Sequence, residues 1–204
     1  QNNTYQYNAT GNLLKKSDYA NTYRYGDATK SLGGNAGPSA VRQVVKLNNT
    51  TVNFSYDAKG NLLSGDGLTT QYTVHNKPRT LSRSGNQYTF TYGADTSRVK
   101  QVKSEGGVST TTYYLDKDYE ADSSGHWRAY IGDVALISYD GDTKHTINFG
   151  HRDRLGSATT FTDHNGAITN RRGYDPFGRP RGSTGSTLTP STQTNGDQSA
   201  TSNF

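Results

Sequence analysis

The chain contains no cysteine and no methionine, and only one tryptophan in 204 residues. Without cysteine there is no disulfide framework, no thiolate zinc site and no cysteine nucleophile. Apolar residues are also scarce, at 29% of the chain with a mean hydropathy of −0.92. An ordinary globular domain is nearer half apolar when glycine is counted. The longest purely aliphatic run is Val134-Ala135-Leu136-Ile137, far short of the roughly 20 residues a membrane helix needs. No membrane span is therefore predicted, and no charged-then-apolar leader precedes Tyr5. Long stretches of 3.6-residue periodicity are missing too. Gly, Thr, Ser and Asn dominate, which argues against helix.

Aromatic residues are not scarce. They make up 11% of the chain, with 15 tyrosines against 6 phenylalanines. A disordered chain is poor in aromatics. The combination predicts an all-β protein with a tyrosine-rich inner layer and a large polar surface. Tyrosine suits that layer because it buries its ring while the hydroxyl finds a partner.

A short unit recurs. Tyr7-Asn8-Ala9-Thr10-Gly11-Asn12-Leu13-Leu14 and Tyr56-Asp57-Ala58-Lys59-Gly60-Asn61-Leu62-Leu63 share one frame. Ahead of the second copy, Thr51 to Tyr56 alternates, with Val52, Phe54 and Tyr56 on one side of a predicted strand. Asp57 is placed to bond the backbone ahead of it and start a turn. Gly60 supplies positive φ, and Asn61 is expected to tolerate it next door. Each copy reads as a β-hairpin. Degenerate copies are centred on Tyr25, Tyr72 and Tyr92. Consecutive hairpins predict a sheet in which each unit is stabilised by its neighbours.

These residues resemble the YD repeat of RHS proteins. Downstream, His151-Arg152-Asp153-Arg154-Leu155-Gly156-Ser157 leads through Thr162-Asp163-His164-Asn165-Gly166 to Tyr174-Asp175-Pro176-Phe177-Gly178. That run is similar to the RHS repeat-associated core signature. The resemblance covers about residues 1–181, with the signature at about 151–181. It implies a curled, spiralling antiparallel sheet, a fragment of a hollow shell. It also implies a non-catalytic scaffold within a bacterial polymorphic toxin or a toxin-complex C-subunit-like protein, secreted or at the cell surface. The implied partners are the rest of the shell, an enclosed C-terminal effector domain, and a secretion or toxin-complex partner. No cofactor is implied. A chain that starts inside a repeat and lacks methionine is expected to be a piece of a longer protein. RHS proteins of toxin complexes cut themselves with aspartates and an arginine beyond this signature. No matching segment is found here, so no catalytic residue is carried over.

Two other readings compete. One is a cell-surface adhesion or carbohydrate-binding β-array that binds glycans, with Trp127 as a stacking platform. The other is a self-cleaving aspartyl protease core. A metal site is not expected. His145, His151, His164, Asp153 and Asp163 are close in sequence, but their spacing matches no compact ligand motif. The net charge is +5, and six arginines fall between Arg152 and Arg181. These are expected to pair with Asp153, Asp163 and Asp175. No nucleic-acid partner is expected, because no recognition-helix pattern accompanies the charge. From Gly182 to Phe204, 11 of 23 residues are Ser or Thr. This stretch is predicted to be a surface loop or tail, with too little apolar surface to offset its ordering entropy.

Overall fold

The computed structural model describes residues 3–26, 37–141, 145–178 and 180–181. The predicted tail at 182–204 and most of the Ser31 to Ser39 loop lie outside the described residues. The chain forms two compact units, Asn2–Thr112 and Tyr113–Phe204. Among the described residues there is no helix, and every regular element is a strand.

In the first unit, β1 (Tyr5–Tyr7), β2 (Leu13–Lys16), β3 (Ala20–Tyr25), β4 (Val41–Lys46) and β5 (Thr51–Asn53) form one sheet in chain order. A second run follows, again in chain order. It holds β6 (Ser55–Tyr56), β7 (Leu62–Gly65), β8 (Leu68–Tyr72), β9 (Pro78–Arg83), β10 (Asn86–Tyr92) and β11 (Arg98–Glu105). β12 (Val108–Tyr114) straddles the division between the units. The second unit continues with β13 (Tyr119–Asp122), β14 (Trp127–Ile131), β15 (Ala135–Tyr139), β16 (His145–Arg152), β17 (Ala158–Thr162) and β18 (Ile168–Arg171). There β19 (Gly173–Tyr174) pairs with β20 (Pro180–Arg181). Neighbouring strands run antiparallel, for instance β8 with β9 and β15 with β16. The predicted all-β succession of hairpins is what forms.

One strand departs from its pattern. Thr51 to Tyr56 alternates without interruption, yet the chain leaves one sheet for the other at Phe54. The Phe54 amide still donates to the Arg42 carbonyl at 2.9 Å, extending the ladder of β4 with β5. Ser55 and Tyr56 then pair with Ser64 and Leu62 of β7. The Phe54 ring lies directly over Gly65, where a side chain would occupy the same space. Alternation reports which side a residue faces. It does not report which neighbour the strand pairs with.

The core is thin. Among the described residues the buried hydrophobic side chains are Ala20, Val44, Tyr130 and Ala158, and Val44 alone of the larger ones is fully buried. Most strand residues are half-buried, including the tyrosines of β3, β8 and β10. Polar side chains share the interior. Glu120 is buried against Arg128, at 3.1 Å, and the Tyr130 hydroxyl, also at 3.1 Å.

Candidate functional site: a repeated turn and its tyrosine staple

One turn geometry recurs through both units. At residues 57–61 the Asp57 amide donates to the Asn61 carbonyl at 2.9 Å, and the Gly60 amide to the Asp57 carbonyl at 3.0 Å. Asp57 Oδ1 accepts from the amides of Lys59 at 2.9 Å and Asn61 at 2.8 Å. Gly60 has φ of 84°, and the register shifts between Ser55 and Tyr56. This is a type I turn closed by a left-handed residue and a bulge. Residues 8–12 repeat it, with Asn8 Oδ1 taking the amides of Thr10 and Asn12 and Gly11 at φ of 82°. Asn76, at φ of 59°, fills the glycine place in 73–77, and Thr96, at 64°, fills it in 93–97. Asn61 is not at positive φ, contrary to the expectation. Its side-chain amide instead donates to Asp57 Oδ2 at 2.8 Å and Asn76 Oδ1 at 3.2 Å. That bond to Asn61 is the main reason the Asp57 carboxyl titrates below the usual range; desolvation opposes it, and the Asn61 and Lys59 amides and the Lys59 charge add to it.

The downstream signature is the same turn three times. Asp153 Oδ1 accepts from the amides of Leu155 and Ser157, with Gly156 at φ of 87°. Asp163 does the same for Asn165 and Ala167, with Gly166 at 80°. Asp175 accepts from the Phe177 amide at 2.8 Å while Gly178, at 77°, donates to the Asp175 carbonyl. Pro176 occupies the second place of that turn. Leu155 and Phe177 stand out at the turn tips, 81% and 54% exposed. His151 lies on β16 and shares a 2.9 Å hydrogen bond with Thr162 Oγ1 on β17.

Tyrosines tie successive turns together. Each one immediately precedes a turn, and its hydroxyl donates to the carbonyl of the residue that follows an earlier turn. Tyr72 reaches Leu62 at 3.0 Å, beyond turn 57–61. Tyr92 reaches Pro78 at 2.7 Å, beyond 73–77, and Tyr174 reaches Ala158 at 3.0 Å, beyond 153–157. Tyr25 reaches Leu13 at 2.7 Å and Tyr56 reaches Val41 at 2.6 Å. Val41 follows Ala40, whose carbonyl is bonded by the Gly26 amide at 2.8 Å across a segment that lies mostly outside the described residues. Burial raises the hydroxyl pKa of Tyr25, Tyr56 and Tyr92. Tyr7, at the end of β1, is 49% exposed and departs from the expected inner layer.

Removing one staple should cost little by itself but measurably. Tyr72→Phe keeps the ring and leaves the Leu62 carbonyl half-buried without its donor. A loss of about 1 kcal/mol in urea unfolding is expected. An unchanged midpoint would show that the hydroxyl contributes nothing.

The arginine expectation holds only in part. Arg181 approaches the buried Asp175 at 3.7 Å. Asp153 and Asp163 bind their own turn amides instead, while Arg152 pairs with Asp133 at 3.2 Å and Arg172 lies over the Phe161 ring at 4.7 Å. The three histidines are placed apart in role as well. His145 joins an aromatic ladder, and no three His, Asp or Glu side chains among the described residues converge as metal ligands. In that ladder Trp127 stacks with Tyr119 at 5.8 Å and Tyr139 at 6.1 Å across β13, β14 and β15. Cross-strand packing of this kind stabilises a sheet.

Two clusters escaped the sequence reading. Asp66 accepts from Lys46, from the Tyr19 hydroxyl at 3.0 Å and from Arg83 at 3.2 Å. Glu120 gathers Arg128 and Tyr130. Their partners are 10 to 47 positions away or sit across a strand pair, so no local motif marks them. Neither cluster presents an arrangement of nucleophile, base and electrophile. Their geometry is that of structural ties.

No family model matches the sequence, and no curated protein matches it. Solved structures do match in fold. The crystal structure of TcdB2-TccC3-Cdc42 aligns with a TM-score of 0.55 at 15% identity. That of TcdB2-TccC3 aligns at 0.55 and 14%, and a Photorhabdus luminescens Tc holotoxin pore with a TccC3 mutation at 0.53 and 12%. Each match covers 87% of this chain and 12% of the other. The all-β antiparallel architecture is thus one found in Tc toxin chains, of which this chain spans a small part.

Proposed function

We propose that the chain is a wall segment of an RHS-type shell, a non-catalytic scaffold around a C-terminal effector. The observation that carries this is the stapled turn. Five tyrosines, Tyr25, Tyr56, Tyr72, Tyr92 and Tyr174, are hydrogen-bonded back to the strand that leaves an earlier turn, so these hairpins are held by a neighbour more than by a core of their own. Such a repeat can extend without limit and needs no second layer packed on it. The thin core and the shared fold with Tc toxin chains support the same reading. Half-buried tyrosines and threonines give a wall that can contact a cargo without a large apolar face to trap it. The rest of the shell, an enclosed effector and a toxin-complex subunit are the partners this reading assigns. It places the parent protein among secreted or surface-delivered bacterial proteins.

A test is limited proteolysis of the full-length parent. The domain C-terminal to the repeats should resist protease while the shell is intact and be digested once the shell is opened by mild denaturant. Equal digestion under both conditions would contradict enclosure. The scaffold reading also expects the 204-residue chain to stay whole over days at 25 °C by intact-mass spectrometry. Specific self-cleavage abolished by Asp153→Asn or Asp175→Asn would contradict it.

A further inference from the structure

Three turns close the same end of the sheet in the second unit. They are 115–119 between β12 and β13, 131–134 between β14 and β15, and 153–157 between β16 and β17. Each carries large apolar side chains in water. Leu115, Ile131, Val134 and Leu155 are all more than half exposed. At the opposite end of the same strands the described turn tips are polar, with Ser123, Ser124, His164 and Asn165. Ile168 is exposed at that end too, but on the edge strand β18 and not on a tip. The apolar turns are also held in order. Arg152 spans the second and third, from Asp133 Oδ1 at 3.2 Å to the Gly156 carbonyl at 2.7 Å. The Tyr130 amide ties the first to β14 through the Asp118 carbonyl at 2.9 Å. An ordered row of bare apolar side chains marks a surface that something covers.

Charge along the row says what fits it. The first turn holds Asp116, Lys117 and Asp118, all exposed, and is net negative. In the middle turn Asp133 is neutralised by Arg152. In the third, Asp153 is taken up by its own turn amides while Arg154 stands exposed. Successive turns are two strands apart, about 10 Å, so the middle one is equidistant from the others. A second copy turned by a two-fold axis through the middle turn therefore sets Ile131 and Val134 against their own counterparts. The same rotation sets Leu115 against Leu155 of the second copy, and Asp118 against its Arg154. Apolar groups meet apolar groups and opposite charges meet, twice over, as an isologous contact requires. A bilayer fits less well, because the carboxylates of Asp116 and Asp118 would face headgroup phosphates.

We propose that this row of turns is a two-fold interface with a second copy of the chain. Ile131 and Val134 form its centre, Leu115 and Leu155 its flanks, and Asp118 with Arg154 sets the direction of pairing. The row stands on the second unit alone and does not require that the chain be part of a shell.

The test is sedimentation equilibrium of the 204-residue chain between about 1 and 300 μM, the range expected for a small interface. Wild type should pass from the 22.2 kDa monomer to twice that mass and no further, since a two-fold contact closes on itself. Leu155→Ser should weaken association by about tenfold. Arg154→Asp and Asp118→Lys should each weaken it as well, because each sets like charges opposite one another in both halves of the contact. An equimolar mixture of the Arg154→Asp and Asp118→Lys chains should dimerise as wild type does. One half of its contact is native, and the other is the same pair with the signs exchanged. That recovery also shows that both variants fold. The proposal fails if wild type stays monomeric throughout or grows beyond a dimer. It also fails if Leu155→Ser associates as wild type does, or if the mixture associates no more tightly than its components. A wild-type monomer that floats with phosphatidylcholine vesicles would assign the row to a membrane and overturn the proposal too.

Discussion

Gly65→Ala should destabilise the first unit by about 3 kcal/mol, the upper range for forcing atoms into a filled site. A Cβ at Gly65 would lie 2.0 Å from one carbon of the Phe54 ring and 2.5 Å from the next. The Phe54 backbone cannot shift freely to relieve this, because it is the point where the chain passes from β5 to β6 and its amide is bound to Arg42. Gly60→Val is the useful contrast. A Cβ there meets nothing within 4 Å, so the penalty comes only from φ of 84°, about 1–3 kcal/mol for a β-branched residue. Urea unfolding of both variants distinguishes the two causes. Gly60→Asn should recover most of the loss at that turn, since Asn76 already takes that conformation at 59°. Gly65→Asn should recover none. Wild-type stability in Gly65→Ala would mean that the two sheets do not meet at Phe54.

The second large effect is at Asp66. Its carboxylate collects Tyr19, Lys46 and Arg83, while Lys46 also lies 5.8 Å from the centre of the Tyr19 ring. The Asp66 and Lys46 side chains are 20% and 27% exposed. Asp66→Asn should cost about 2 kcal/mol at pH 7, because the partly buried Lys46 loses its counter-charge, while the exposed Arg83 adds little. Burial pushes the Asp66 carboxyl upward, but the bonds from Lys46 and Tyr19 and the charges of Lys46 and Arg83 outweigh it, so it titrates below its ordinary 3.8. As acid is added, the unfolded chain takes up that proton first. The contribution is complete above the ordinary value and disappears as pH falls through the folded one. The pH dependence of stability below about pH 4 should therefore be shallower in Asp66→Asn. It should not vanish, since Asp57, Asp95 and Glu105 are lowered too. Urea unfolding at pH 7 and pH 3 checks both points. Equal stability at pH 7, or identical acid loss in the two proteins, would contradict the role given to Asp66.

What was legible in the sequence was local. Asp57 and Gly60 announce their turn because the bonds they make lie within five residues, and the same holds for Asp153 and Asp163. The strand alternation of Val52, Phe54 and Tyr56 was legible for the same reason. The tyrosine staples were half legible. The tyrosines are evident, but their acceptors are backbone carbonyls 10 to 16 residues away, which no side chain marks. The switch at Phe54 was hidden because pairing partner and facing side are independent. Asp66 was hidden because its three partners come from β4, β9 and the Tyr19 turn.

The most direct measurement of the central claim is a density map of the full-length parent by single-particle cryo-electron microscopy. The account predicts a continuous antiparallel wall around a lumen. Residues 5–181 should be built into that wall, with Tyr25, Tyr56, Tyr72, Tyr92 and Tyr174 each hydrogen-bonded back to the strand leaving an earlier turn. Density for a further domain should lie inside. A solid, lumen-free particle, or these hairpins packed face to face as an ordinary sandwich, would contradict it.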